Sequence, residues 1–96
     1  MNVGVCKLKL RLAENMSLKG KRQVIKPIIT LIRNKYNVSI AEVEDNDLWQ
    51  IATLGICFIS NDSQYTDEVI ASIINFINSG RFEVEIINQE VEIMPF

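Results

Sequence analysis

Five basic side chains in the N-terminal third of the chain have the types and spacing best suited to binding chemistry. They are Lys19, Lys21, Arg22, Lys26 and Arg33. Counted at about 100° per residue, all of these except Lys21 fall within an arc of roughly 60° on one side of a helix. No acidic residue lies between Ser17 and Tyr36. Because such surfaces bind phosphate backbones through charge alone, we predict that these five residues bind nucleic acid. The alternative is an ordinary solvated helix face.

The charge of the whole chain is divided unevenly along its length. Residues 1–36 carry nine Lys and Arg against one acid, whereas residues 37–96 carry one basic residue against eleven acids, for a net charge of −2. Sign asymmetry of this size indicates an electrostatic partner or a second copy of the chain that binds head to tail.

The sequence offers little for catalysis or for metal binding. It contains no histidine, which is the commonest general base at neutral pH. Asp45 and Asp47 lack the glycine and the distal glutamate of a calcium loop, and residues 13–16 do not match the phosphate loop of acylphosphatases. We therefore predict no enzymatic activity, no cofactor and no metal site.

The two cysteines and the hydropathy pattern bear on the cellular compartment. Cys6 and Cys57 form no metal or disulfide spacing motif, and the strand pattern places them on opposite faces of a sheet. No apolar run approaches the roughly 18 residues of a membrane span, and the N-terminus does not resemble a signal peptide. The sequence therefore predicts a cytoplasmic protein with reduced thiols and no membrane contact.

The periodicity of apolar residues predicts four strands and two helices. The four predicted strands are Val3–Leu12, Val38–Glu44, Leu48–Ser60 and Phe82–Met94, the last with a bulge near Asn88. The predicted second helix is Gln64–Ser79. The first helix follows an N-cap at Ser17. Pro27 leaves two interpretations of that helix open, because an interior proline removes a hydrogen bond. Either a kinked helix runs from Leu18 to about Lys35, or the regular helix begins near Val24.

The order strand, helix, strand, strand, helix, strand predicts one α+β domain over residues 1–96. Right-handed crossovers favour a four-stranded antiparallel sheet with both helices on one face, which is the ferredoxin-like arrangement. Strands one and three are then central, strand four borders strand one, and strand two borders strand three.

The first strand presents three further cations, Lys7, Lys9 and Arg11, on its outer side. An RNA-recognition sheet would need aromatic residues there for base stacking, and the strand has none. We expect these cations to pair with glutamates of the neighbouring fourth strand, namely Glu83, Glu85, Glu90 and Glu92. Trp49 is expected to cap the core.

Several short segments resemble the YlxP-like proteins of bacteria. The segments are 3–6, 17–22, 37–43, 47–50, 52–55 and the turn at 60–62. The resemblance covers the whole chain and implies a ferredoxin-like fold and a bacterial cytosolic origin. It assigns no activity and no functional residue, because the family is a domain of unknown function. The frequent position of such genes beside those for translation initiation and ribosome maturation implies a connection with RNA.

The function predicted from these features is that of a small cytosolic interaction module. It contacts RNA or a ribosomal particle through the basic face of the first helix. The alternative is a self-associating or protein-binding regulatory module, forming a homo-oligomer without nucleic acid. Exposure of Val5, Gly55, Cys57 and Ile59 on the open side of the sheet would favour this alternative.

Overall fold

The first strand, β1 (Asn2–Arg11), sets the two sides of the fold in the computed structural model, which describes residues 1–96. Its side chains alternate as the sequence predicts. Cys6, Leu8 and Leu10 are almost fully buried under the helices, whereas Lys7 and Lys9 lie on the opposite side and are half-buried.

Two capped helices cover the buried side of β1. In α1 (Leu18–Lys35) the Ser17 hydroxyl accepts a hydrogen bond from the Gly20 N–H at 2.9 Å. In α2 (Ser63–Ile77) the Asp62 carboxylate accepts one from the Gln64 N–H at 2.9 Å. Side-chain oxygens at these positions satisfy N–H groups that have no partner inside the helix.

Pro27 lies inside α1, so the longer of the two predicted helices is the one that forms. The missing N–H of Pro27 leaves the carbonyl of Gln23 without its helical partner. Both residues are exposed on the outer side of the helix, where water can replace that hydrogen bond.

The sheet is completed by β2 (Ser39–Glu44), β3 (Ile51–Ser60) and β4 (Glu85–Pro95). Its order is β2-β3-β1-β4 with every pair antiparallel, which confirms the predicted ferredoxin-like fold. Strands β3 and β4 each begin three residues later than predicted. The residues before β3 form a turn instead, in which Asp45 has a φ of 60° and its carbonyl accepts the Leu48 N–H at 3.0 Å.

Each edge strand contains a bulge. The pairing of β1 with β4 skips Ile87, which confirms the bulge predicted near Asn88. The pairing of β2 with β3 skips Val43, which turns over Gly55. A Cβ atom at Gly55 would lie 2.8 Å from the Val43 side chain, so a larger residue there would force Val43 to move.

The hydrophobic core lies between the sheet and the two helices and contains sixteen buried apolar residues. The other side of the sheet is not covered by any element, and we call it the open face. Cys6 is 1% exposed in the core, and Cys57 is exposed on the open face; both thiols are free, as predicted. Neither helix has the length and apolar character needed to cross a bilayer.

Candidate nucleic-acid interface

Four of the five predicted binding residues lie together on the solvent side of α1, which we call the outer face. They are Lys19, Arg22, Lys26 and Arg33, and all four are exposed. At 1.5 Å per residue they extend over about 21 Å of the helix. None of the four forms an ion pair with a carboxylate. The outer face therefore carries positive charge that the fold leaves uncompensated.

Arg33 differs from the other three because one of its donors is used inside the chain. Its Nη2 donates to the carbonyl of Ile40 at 3.0 Å, which joins the end of α1 to β2. A guanidinium has five N–H donors, so Arg33 keeps others for a ligand.

The placement of these charges is unfavourable for the helix itself. The first turn of α1 contains no acidic residue, and Lys19 lies there near the positive end of the helix dipole. Arg22 and Lys26 are four residues apart, where like charges destabilise a helix by a few tenths of a kcal/mol. The outer face is thus not explained by helix stability.

Lys21 does not belong to this surface, and its prediction as a nucleic-acid-binding residue is wrong. It is 2% exposed. Its ammonium group donates to the carbonyls of Asp45, Asn46 and Ile51 at 2.9, 3.2 and 3.1 Å. These three donations use every proton of the ammonium group.

Glu42 supplies the negative charge that this buried ammonium needs. Its Oε2 lies 2.8 Å from Lys21 Nζ and has no other polar partner. The carboxylate oxygen therefore depends on this ion pair. Together these contacts fasten the turn between β2 and β3 to the first turn of α1.

The sequence did contain a signal for the position of Lys21. Lys21, Ile25, Ile28 and Ile32 follow the spacing i, i+4, i+7, i+11, which is the buried stripe of α1. Helical spacing thus groups Lys21 with the core, whereas its neighbours in the sequence group it with the outer face.

The cations of β1 all have carboxylate partners, but only one partner is on β4. Arg11 pairs with Glu85 at 2.6 Å, as expected, whereas Lys7 pairs with Glu44 at 2.7 Å and Lys9 with Asp45 at 3.8 Å. The last two partners lie at the end of β2, at the opposite edge of the sheet from β4, so the predicted pairing with β4 is wrong for both lysines.

Two features of the sheet explain this redirection. The bulge at Val43 pairs Glu44 with Thr53, which puts the Glu44 side chain on the open face with Lys7. On β4 the residue beside Lys9 is Asn88 and not a glutamate. The hydrogen bond to Glu44, and then its charge, raise the pKa of Lys7 above the usual lysine value.

Trp49 and its neighbour Leu48 lie on the turn before β3 and are about half exposed, at 51% and 48%. The expectation that Trp49 caps the core is therefore wrong. The Asn15 side chain donates to the carbonyls of Ser17 and Trp49, which holds this turn against the start of α1. No group of three His, Cys, Asp or Glu side chains is arranged to hold a metal ion.

The open face has an apolar end, formed by Val3, Val5, Cys57, Ile59 and Met94. Ile59 is 67% exposed and Met94 is 39% exposed. Of the four positions whose exposure would favour a protein interface, Cys57 and Ile59 are exposed, and Val5 and Gly55 are half-buried.

The remaining candidates for chemistry are less favourable. Burial raises the pKa of the Cys6 thiol to about 11, which leaves it protonated and unreactive. A cavity of about 560 Å³ lies beside the start of α1, between Gln23 and Phe82. The one cation in its wall, Arg11, is already paired with Glu85.

Comparison with known proteins agrees with the motifs noted in the sequence. Residues 3–91 match the family model described as "Protein of unknown function (DUF503)". The uncharacterized protein YlxP of Bacillus subtilis is 41% identical over 63 residues, which cover 66% of this chain and 68% of that protein.

Solved structures support the fold. The designed protein Foldit4 is similar with a TM-score of 0.56 and 16% identity, covering 100% of this chain and 99% of its own. The designed ferredoxin-fold protein LFR1 1 is similar with a TM-score of 0.56 and 12% identity, covering 98% and 84%. The fold is therefore ferredoxin-like, and the chain belongs to the YlxP-like DUF503 family of proteins of unknown function.

Proposed function

We propose that this protein is a non-catalytic module of the bacterial cytosol that binds the phosphate backbone of RNA, free or in a ribosomal particle. The outer face of α1 makes the contact through Lys19, Arg22, Lys26 and Arg33. The observation that carries the proposal is the absence of any carboxylate partner for these four side chains.

This absence is informative because the other cations of residues 1–36 have partners within the chain. Lys7, Lys9, Arg11 and Lys21 each have a carboxylate partner, and the ammonium group of Lys35 lies over the Phe76 ring. The chain has an excess of acids, so unpaired cations are not a consequence of too few carboxylates. The acids are instead placed away from the outer face of α1.

The geometry of the outer face fits a polymer of phosphates better than a single anion. Its charges follow the helix for about 21 Å, which is the length of several nucleotides of backbone. No exposed aromatic residue lies among them, so the surface offers charge contacts and no base-stacking platform. The expected binding is therefore strong at low salt and indifferent to sequence.

The support for a non-catalytic role is chemical. The chain lacks histidine, and the Cys6 thiol is buried with its pKa raised to about 11. The cations of the outer face have no nucleophile or general base beside them. They are suited to holding an anion in place and not to transforming it.

The experiment measures RNA affinity against salt concentration for the wild type and for Arg22→Glu/Lys26→Glu. Counterion release predicts a slope near −0.7 per phosphate neutralised on single strands, so losing two contacts makes the slope shallower by about 1.4. The weakening should be similar for unrelated RNA sequences, because no base contacts are involved.

The matched control is Lys35→Glu/Arg81→Glu. It changes the net charge by the same amount, but both residues lie away from the outer face, with their cationic groups over aromatic rings. The control should keep the wild-type slope, and thermal melts should verify that both variants fold. A wild type that binds no RNA at low salt, or equal weakening by both variants, contradicts the proposal.

A further inference from the structure

The apolar end of the open face extends over three adjacent strands without a covering element. Val3 lies between Met94 on β4 and Ile59 on β3, and Val5 lies beside Cys57 in the next row. Contiguous exposed apolar surface of this kind marks an interaction site. We propose that a second copy of this chain covers the open face and forms a two-fold symmetric dimer by sheet-on-sheet packing. This contact is on the opposite side of the sheet from α1 and is separate from RNA binding.

The size of the open face fits a modest dimer. Three strands of about ten residues and the six-residue β2, about 4.8 Å apart, give a footprint of roughly 600 Å². Two such faces bury about 1,200 Å² in total, the lower limit for a specific interface. The expected dimer is therefore of micromolar or weaker affinity, with most of its energy in the apolar end.

The arrangement of side chains is complementary to itself when the two-fold axis runs parallel to the strands between β1 and β3. That axis reverses the strand order, so β1 of one copy faces β3 of the other, and β4 faces β2. In the apolar end Val3 of one copy then meets Ile59 of the other, and Val5 meets Cys57.

In the rest of the open face, each charged residue of one copy meets an uncharged residue of the other. Lys7 meets Gly55, Glu90 meets Ala41, and Glu44 meets Asn88. No like charges oppose each other, and Val43, whose side chain lies over Gly55, is uncharged as well.

Charge also argues against RNA as the occupant of this face. The open face carries five carboxylates, those of Glu44, Asp45, Glu85, Glu90 and Glu92, against the three cations of β1. The cations are already paired with carboxylates. A polyanion would be repelled, whereas a second copy brings the same nearly balanced surface.

The first test compares two substitutions of exposed apolar residues on opposite sides of the sheet. Ile59→Glu places a charge in the apolar end, whereas Val91→Glu places one on the helix side of β4, where Val91 is 45% exposed and in register with Cys6. Sedimentation velocity from about 1 μM to about 1 mM covers the expected affinity range. The wild type and Val91→Glu should dimerise alike, and Ile59→Glu should raise the dissociation constant tenfold or more, by about 1.4 kcal/mol. A monomeric wild type, or equal effects of both variants, overturns the proposal.

The second test needs no mutation and uses Cys57 as a reporter. Cys57 lies in the apolar end, and Cys6 is too deeply buried to react in the folded protein. Modification of Cys57 by a maleimide should slow as the protein concentration rises through the dimer range, because a second copy covers the thiol. A rate constant independent of concentration, in a sample that sedimentation finds dimeric, would place the interface elsewhere and overturn the proposal.

Discussion

The outer face of α1 and the side of β1 that lies on the open face are both basic in the sequence, and they differ in what the fold places beside each cation. On the open face Lys7, Lys9 and Arg11 each meet a carboxylate. On the outer face no cation does. The partners come from distant parts of the chain: Glu44 is 37 residues from Lys7, and Glu85 is 74 residues from Arg11.

The difference shows that basic residues of a similar sequence pattern can have either of two roles, depending on whether the fold pairs them with carboxylates. A paired cation contributes to folding and has little charge left for a ligand. An unpaired one is unfavourable for folding when it lies beside like charges or near a helix N-terminus, as Lys19 does. The outer face of α1 is therefore the better candidate for binding, although β1 is a similarly basic segment in the sequence.

The largest expected effect concerns Lys21, which we assign to the interior and not to the outer face. Lys21→Met leaves Glu42 without its counter-charge and three carbonyls without a donor. Breaking a buried pair in this way lowers the free energy of unfolding by about 3–5 kcal/mol. Urea denaturation measures the loss.

Lys19→Met is the matched control for this substitution, because it removes the same group two residues away on the outer face. It should change stability by no more than about 0.5 kcal/mol. Adding Glu42→Gln to Lys21→Met should recover only part of the loss, since the three carbonyls still lack a donor. Equal effects of Lys21→Met and Lys19→Met would mean that Lys21 is not an interior group.

The next effect concerns the ion pairs of the open face. In double-mutant cycles, the basic residue is replaced by Met, Asp45 by Asn and Glu85 by Gln. The coupling energy should be about 0.2–1 kcal/mol for Lys9 with Asp45 and for Arg11 with Glu85. The cycle of Lys9 with Glu90 serves as the control and should give none. A coupling energy for Lys9 with Glu90 and none with Asp45 would show that Lys9 pairs with β4, as the sequence predicts, and would contradict the pair with Asp45.

A charge reversal on the outer face should raise the stability of the protein instead of lowering it. Lys19→Glu puts a negative charge in the first turn of α1, where the helix dipole favours it by about 0.3–1 kcal/mol. The variant should therefore be slightly more stable than the wild type and bind RNA less tightly. Lys26→Glu, in the middle of the helix, is the control that lacks the dipole contribution. Destabilisation by Lys19→Glu would indicate an unrecognised partner on the outer face.

The smallest effect is a titration signature of pairing. The hydrogen bond and charge of Glu44 raise the pKa of Lys7 above 10.5. Because the folded pKa lies above the unfolded one, the stabilisation is complete below the unfolded pKa and is lost as the pH rises through the folded pKa. Glu44→Gln should return the Lys7 pKa, measured by NMR at Nζ, towards its ordinary value. It should also make stability fall less steeply in the alkaline range, and an unchanged Lys7 pKa would contradict the pairing.

Local patterns in the sequence predicted the elements and the fold. Alternation in β1, the caps at Ser17 and Asp62 and the helical spacing in α2 are interactions between residues close in the chain. The order of these elements then allows few topologies, because crossovers are right-handed. The outer face of α1 was predictable for the same reason, since one helix sets the relative positions of Lys19, Arg22 and Lys26.

Tertiary structure decided which of the other cations were free. Lys21 is buried because the turn between β2 and β3 folds over it, and that turn is more than twenty residues away. Lys7 pairs with Glu44 and not with Glu90, its neighbour on β4, because the bulge at Val43 brings Glu44 to the open face; Lys9 has Asn88 and not a glutamate beside it on β4. Helical and strand periods fix the side of an element on which a residue lies, but they do not fix which distant carboxylate reaches it. That depends on register shifts of one residue, which only the packed sheet determines.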